Sequence, residues 1–263
     1  MEKLLIIPTY NEKENVASIL ETVFSLQQNF HVLIIDDGSP DGTADIVKSL
    51  FSMYEGMLFL EERFGKLGLG TAYIMGFRWA LARGYSYIFE MDCDFSHNPR
   101  DLDRLYDACK NQGFDVAVGS RYVKGGDVEN WPLARIGLSK GASAYTRLIT
   151  FMPVKDPTAG FVCYRSEVLE ALNLDQISFV GYAFQIEMKF AAWKLGFKIK
   201  EVPITFVDRK FGISKMNKGI VKEGIFGVLK LKWISMFKNY RSRVKNIHEV
   251  NSYKAREVLL ERK

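Results

Sequence analysis

The chain alternates short apolar runs with segments of helical spacing, and the apolar runs tend to close on polar clusters. This alternation constrains its fold more than anything else in the sequence. Lys3–Pro8, His31–Ile35, Met57–Leu60, Tyr87–Met91 and Val116–Val118 read as strands. Asn15–Leu26, Asp41–Phe51, Gly70–Arg83 and Asp101–Lys110 repeat their apolar residues at three- and four-residue steps and read as helices. Brief strands alternating with longer helices predict βαβ units and a mainly parallel sheet flanked by helices. In such sheets ligands sit beyond the carboxyl ends of the strands, so the chemistry should gather on one edge. After residue 120 the pattern loosens. A glycine-bearing loop (Gly119–Pro132) precedes a helix at Arg135–Thr150, and strands at Phe161–Tyr164 and Lys198–Val207 flank a helix at Gly181–Leu195. The division expected is one α/β domain over 1–216 and a basic, amphipathic C-terminal helical region over 217–263.

Charge and spacing exclude several classes. The longest stretch free of Asp, Glu, Lys and Arg is Thr22–Ile35, whereas a spanning helix needs about 20 apolar residues, so no transmembrane segment is expected. The start, Met1-Glu2-Lys3, leads straight into a strand-like run and resembles no secretory leader. Cys93, Cys109 and Cys163 are odd in number and distant, which argues for a reducing compartment and against structural zinc. His31, His97 and His248 are equally scattered, so a bound metal would rest on carboxylates. Residues 209–263 carry 15 Lys+Arg against 4 Asp+Glu, whereas residues 1–208 carry 21 against 27. An acidic body with a basic tail suggests that the tail meets something anionic; a solvated helical face reads equally well.

The strand ends hold the candidate chemistry. Pro8-Thr9-Tyr10-Asn11-Glu12 offers a ring for stacking on a base and a carboxylate for its donors. Asp36-Asp37-Gly38-Ser39-Pro40-Asp41-Gly42-Thr43 contains turn residues, with one more acid than a turn requires. Asp92-Cys93-Asp94 places two hard oxygen ligands at i and i+2, suited to Mg²⁺ or Mn²⁺ bridging phosphates, and Ser96 or His97 could support them. The glycines at 65, 68 and 70 fit neither common nucleotide-loop spacing, so a flexible loop bringing Lys66 toward a phosphate is the better reading. No Ser-His-Asp or Cys-His arrangement is evident, which argues against a side-chain nucleophile.

Separated cations follow. Arg121 comes after a strand, Arg135 and Lys140 share a helix, and Arg209 and Lys215 flank Phe211-Gly212-Ile213-Ser214. Guanidinium forks match phosphate oxygens, and cations on the rim of a metal-holding cleft make sense if a second anion arrives there. Asn217–Lys238 repeats Ile225 or Phe226, Leu229, Trp233, and Met236 or Phe237 among lysines. Such a helix could lie on an anionic membrane surface, or it could pack on the domain with its lysines solvated.

These motifs, taken in order with Leu67-Gly68-Leu69-Gly70-Thr71-Ala72-Tyr73, Gly119-Ser120-Arg121-Tyr122 and Phe206-Val207-Asp208-Arg209, closely resemble the dolichol-phosphate (polyprenol-monophosphate) mannosyltransferases of the GT-A, family-2 glycosyltransferase kind. The resemblance spans about residues 3–216. It implies a GT-A (Rossmann-like) catalytic domain, a GDP-mannose donor, inverting transfer to a polyprenyl (dolichyl) phosphate and a divalent cation. It implies nucleotide-binding positions at Pro8, Tyr10, Glu12, Ile35, Asp37 and Asp92-Cys93-Asp94, with Asp92 and Asp94 as metal ligands. Arg121, Arg135, Arg209 and Lys215 match the cations around donor and acceptor phosphates, and Asp92, Asp94, Arg121 and Arg209 carry the catalysis. Cys93 stands where the family usually has Ala, and Ser96 where some relatives have Gln.

The function expected is therefore a cytoplasmic enzyme, peripheral on the cytoplasmic face of a membrane, with room for a membrane partner subunit. Two alternatives stand beside it: the same reaction class with a UDP-sugar donor, and a non-catalytic subunit that binds lipid or a partner. A nucleic-acid partner is not expected, since no recognition motif accompanies the basic tail and the acidic body would repel a polyanion.

Overall fold

A computed structural model describes residues 2–181, 183–209 and 218–241, with the backbone alone for 218–225. Lys215, the rest of the 210–217 loop and the tail 242–263 lie outside the described residues. The elements run β1 (Lys3–Thr9), α1 (Val16–Phe24), β2 (His31–Asp36), α2 (Thr43–Ser49), β3 (Leu58–Glu62), α3 (Leu69–Ala82), β4 (Tyr87–Glu90), α4 (Leu102–Lys110), β5 (Val116–Ser120), β6 (Asp127–Glu129), α5 (Leu133–Thr150), β7 (Val162–Arg165), α6 (Ser166–Ala171), α7 (Ala183–Lys194), β8 (Ile199–Pro203), β9 (Thr205–Val207) and α8 (Lys218–Ile234).

Seven strands form one sheet in the order β3-β2-β1-β4-β7-β5-β8. β1, β2, β3 and β4 are parallel, β8 is parallel to β5, and β7 runs antiparallel between β4 and β5. The unbroken apolar run of β1 follows from burial on both faces. Leu4 and Ile6 face a core shared with α3, α6, α7 and α8, while Leu5 and Ile7 face one shared with α1, α2 and α4. Fully burying each such side chain stabilises the fold by roughly 1.5–3 kcal/mol, and a register slip would exchange the two faces. In α1, Val16, Ile19, Leu20 and Val23 are the buried residues, as their spacing predicts.

The predicted elements are present, with informative differences. The single strand expected over Lys198–Val207 breaks at Ile204 into β8 and β9, and β9 leaves the main sheet to pair with β6. That departure carries Asp208 and Arg209 toward the end of β4. The loop expected at Gly119–Pro132 contains β6. Because β7 is antiparallel, the segment before it arrives at the same edge where the parallel strands end, which sequence periodicity did not foretell.

The C-terminal helix divides its faces. Val228 and Leu231 of α8 are buried in the core, and Lys194 donates to the Ser235 carbonyl at 2.7 Å. Of the stripe picked out by spacing, Phe226, Leu229, Trp233, Met236 and Phe237 point outward, with Trp233 64% and Phe237 79% exposed, and the side chain of Ile225 lies outside the described residues. Among the described residues no helix is long and apolar enough to cross a membrane.

Gly70 shows how closely α3 is seated. A Cβ there would stand 2.8 Å from both the Phe179 carbonyl oxygen and the Phe184 ring. We expect Gly70→Ala to destabilise the protein by about 1–3 kcal/mol through overpacking, measured as a lowered urea midpoint with unchanged m-value.

Candidate active site

β1 and β4 lie side by side although five elements separate them in sequence, so the chain reverses its winding direction between them. A sheet of this kind opens a crevice at that point. The acidic clusters after β1, β2 and β4 line it.

The turn after β2 is held from within. Asp36, fully buried, accepts the Thr9 hydroxyl at 2.8 Å, the Ser39 hydroxyl at 2.6 Å and the Ser39 amide at 2.8 Å. That leaves Asp37 as the acid facing the crevice, where it accepts the Arg63 Nε at 2.7 Å. The same guanidinium reaches the Thr71 hydroxyl at 2.7 Å. After β1, Glu12 is buried and accepts the Asn15 amide at 2.9 Å, while its own amide donates to the Thr43 hydroxyl at 3.0 Å. The ammonium of Lys66 stands 5.1 Å from the centre of the Tyr10 ring. The Ile35 side chain is fully buried, so whatever it offers a nucleotide is main chain.

Asp92 and Asp94 leave the end of β4 in unlike surroundings. The Asp92 side chain is 40% exposed and that of Asp94 only 4%. Phe95 adopts a left-handed φ of 58°, costly for a bulky residue, and the turn is held by the Ser96 amide donating to Asp94 at 3.0 Å and the Val207 amide donating to the Ser96 carbonyl at 3.1 Å. The other Asp94 oxygen meets the Arg209 guanidinium at 2.9 Å. His97 is buried, stacked 5.0 Å from Phe161, with Nδ1 4.0 Å from Asp92. Burial pushes its imidazole down to about 4, so it is neutral at pH 7.

Opposite the acids stands a set of arginines. Asp156, fully buried, accepts the Arg121 amide at 3.0 Å, Nε at 2.7 Å and Nη2 at 2.6 Å, and Nη2 also reaches the Thr158 hydroxyl at 2.8 Å. Burial alone would raise the Asp156 carboxyl, but the Arg121 guanidinium outweighs it and holds it below the usual range. Arg135 donates to both oxygens of Asp208 at 3.0 Å and lies 4.0 Å from the Trp131 ring. Trp131 is also 5.6 Å from the Arg121 guanidinium, so one indole lies against two of the predicted cations.

The structure thus brings together Tyr10, Glu12, Asp37, Asp92, Asp94, Arg121, Arg135 and Arg209. Arg63, Trp131 and Asp156 contact these residues and were not singled out from sequence, and Asp208 was named there only within the Phe206–Arg209 motif. For Arg63 a signal existed, a lone cation directly after a strand. For Asp156 there was none, because its place depends on the antiparallel course of β7.

Two carboxylates with further positions for water and phosphate oxygens fit a Mg²⁺ or Mn²⁺ ion better than a metal wanting an all-protein cage. Among the described residues no group of three or more His, Cys, Asp or Glu gathers in a metal-holding arrangement.

Beneath this turn lies a buried polar bridge. Gln185 of α7 donates to Glu90 at 2.9 Å and accepts from Lys189 at 3.0 Å, and Lys189 also donates to the Ala159 carbonyl at 2.6 Å. Burial raises the Glu90 carboxyl and lowers the Lys189 ammonium. The bridge ties β4 to the segment that carries Asp156.

Comparison with known proteins places these motifs in context. The profile of Glycosyl transferase family 2 matches residues 4–172. A polyprenol monophosphomannose synthase of Mycolicibacterium smegmatis is 46% identical over 225 residues, 86% of this chain and 84% of that protein. An undecaprenyl-phosphate mannosyltransferase of Micrococcus luteus is 42% identical over 244 residues, 93% of this chain and 99% of that protein. The fold is similar to that of a mannosyltransferase from Pyrobaculum calidifontis solved in complex with GDP-Man and Mn²⁺. The TM-score is 0.57 at 15% identity, over 91% of this chain and 65% of that one.

Removing one end of the buried bridge leaves the other unmatched. We expect Lys189→Met and Glu90→Gln each to lower stability, the first by about 3 kcal/mol. The double variant should lose at least about 1 kcal/mol less than the two together, a double-mutant cycle read by urea denaturation.

Proposed function

The chain belongs to glycosyl transferase family 2, and on that premise we propose that it transfers mannose from GDP-mannose to a polyprenyl phosphate, forming polyprenyl β-D-mannosyl phosphate. The observation that carries this reading is the 2.9 Å contact between Arg209 and Asp94. It sets the cation side of the crevice against the acid side, so that a donor diphosphate and an acceptor phosphate would meet within one side chain's reach. The names of the two bacterial relatives point the same way.

Each side chain has a chemical part in this scheme. Tyr10 supplies a flat face for the base, with Glu12 and Asp37 as acceptors for base or ribose donors. Asp92 and Asp94 would hold a divalent cation, which when bound neutralises the diphosphate of the donor. Arg209 and Arg121 bear on the phosphates as charge moves from acceptor to leaving group, and Arg135 supports them. A phosphate monoester is already anionic at neutral pH, so the attacking oxygen needs no general base. His97, neutral and buried, is assigned none. In-line attack on the anomeric carbon turns an α-linked donor into a β-linked product, with orientation rather than covalent catalysis lowering the barrier.

We place the enzyme on the cytoplasmic face of a membrane, held by the exposed side of α8. Trp233, Phe226, Leu229, Met236 and Phe237 are exposed there with Lys230, and the Lys232 ammonium lies 4.8 Å from the ring of Phe151, itself exposed. A basic, aromatic face of this kind suits the headgroup region of an anionic bilayer.

Radiolabelled mannose from GDP-mannose should enter the lipid phase with Mg²⁺ or Mn²⁺ and a polyprenyl phosphate, and Asp94→Asn should lose at least about a hundredfold in rate, some 2.7 kcal/mol of transition-state stabilisation, while circular dichroism stays unchanged. No transfer to any prenyl chain length from folded protein would overturn the proposal, and stronger competition by a UDP-sugar would overturn the donor.

Flotation with phosphatidylglycerol vesicles should fall about tenfold for Trp233→Ser combined with Lys230→Ser and Lys232→Ser, since a buried Trp face alone is worth more than about 1.4 kcal/mol. Unchanged flotation would mean that α8 does not meet the bilayer.

A further inference from the structure

A second concave site lies beside the crevice, between the loop after β5, helix α5 and the segment leading into β7. Its volume is about 310 Å³, at the lower end of small-molecule sites, which start at roughly 300 Å³. Lys140, Ser143 and Arg147 reach it from α5 at i, i+3 and i+7, one face of the helix. Lys155 comes from the segment before β7, and Arg121 and Tyr122 from the loop. Four cations line this pocket and no carboxylate does.

That composition sets it apart from the crevice. Arg63, Arg135 and Arg209 of the crevice each have a carboxylate partner, as does Arg121, which borders both sites. Among the described residues, the side chains of Lys140, Arg147 and Lys155 have neither a hydrogen bond nor an ion pair. Like charges gathered in one concavity repel, and a bound anion converts that repulsion into attraction. The second observation is Ser143. It is 3% exposed, it lines the pocket, and its hydroxyl has no hydrogen-bond partner. Leaving a buried hydroxyl without a partner is costly, and an oxygen-rich anion would supply the partner it lacks.

We propose that this pocket is a phosphate-binding site outside the crevice, taking a phosphate monoester or diester. Arg147 offers a guanidinium fork, Lys140 and Lys155 offer point charges, and the Ser143 hydroxyl donates from below. Leu148, next along α5, and Phe151 are exposed, so the phosphate could belong to a membrane lipid headgroup or to a free phosphate ester. The site does not depend on which sugar the enzyme moves.

The test uses the full chain without donor, acceptor or metal, titrated with inorganic phosphate by calorimetry. Arg147→Gln with Lys155→Gln should weaken binding roughly a hundredfold, about tenfold for each charge-assisted contact, and Ser143→Ala should weaken it by about fivefold. Lys48→Gln with Lys110→Gln removes the same net charge from surfaces remote from the pocket and should bind phosphate like the unaltered protein. Vesicles of phosphatidylcholine with and without phosphatidylglycerol then distinguish the sources. Loss of the phosphatidylglycerol-dependent binding in the Arg147/Lys155 variant assigns a lipid headgroup, and unchanged vesicle binding alongside weakened phosphate binding assigns a soluble ester. Absence of saturable phosphate binding in the unaltered protein, or equal affinities in the pocket variant and the charge-matched control, would overturn the proposal. Since no sugar transfer is measured, failure here is distinguishable from failure of the proposed transfer reaction.

Discussion

A sheet buried on both faces can offer charge to solvent only where its strands end, and the rest of this molecule depends on that restriction. Between Leu4 and Ile7 each β1 side chain enters one core or the other. The polar residues that follow fall at the edge where β1, β2 and β4 run out. Burying a charge without a partner is costly, so the acids of that edge either stiffen turns, as Asp36 does for Ser39 and Thr9, or face the crevice.

The second constraint is neutralisation. An arginine from a neighbouring element answers Asp37, Asp94, Asp156 and Asp208 in turn. Such pairs keep a crevice rich in both signs compatible with folding, and they leave guanidinium groups beside the positions where phosphate charge would arrive. The pocket along α5 breaks the pattern, since apart from Arg121 its cations have no carboxylate partner. Behind the crevice, the Glu90–Gln185–Lys189 bridge joins the strand bearing Asp92 to the segment bearing Asp156, so the acid and cation sides rest on a common buried support.

Legibility in the sequence followed the range of the interaction. The first four strands and the helices between them could be read because periodicity records which face is buried, and the acids at their ends could be read because parallel strands finish on one side. The aromatic stripe of α8 was legible as a stripe, yet its direction was not. The same spacing would serve a packed face, and only the burial of Val228 and Leu231 shows that Phe226, Leu229, Trp233 and Phe237 are turned outward. Trp131 went unremarked because a single ring has no local pattern to mark it, and Arg63 because the strand before it was expected to end at Leu60 and runs to Glu62.

The sequence by itself determined the α/β alternation, the acidic strand ends and the order of the family's motifs, since these rest on local periodicity and on residues a few positions apart. Tertiary structure decided which charges meet. β7 runs antiparallel and so delivers Asp156 to Arg121, and β9 departs from the sheet and so delivers Arg209 to Asp94. Those pairings join residues far apart in the chain, and a long-range electrostatic contact leaves no trace in local spacing, because its energy depends on the distance between two side chains and on how much water lies between them.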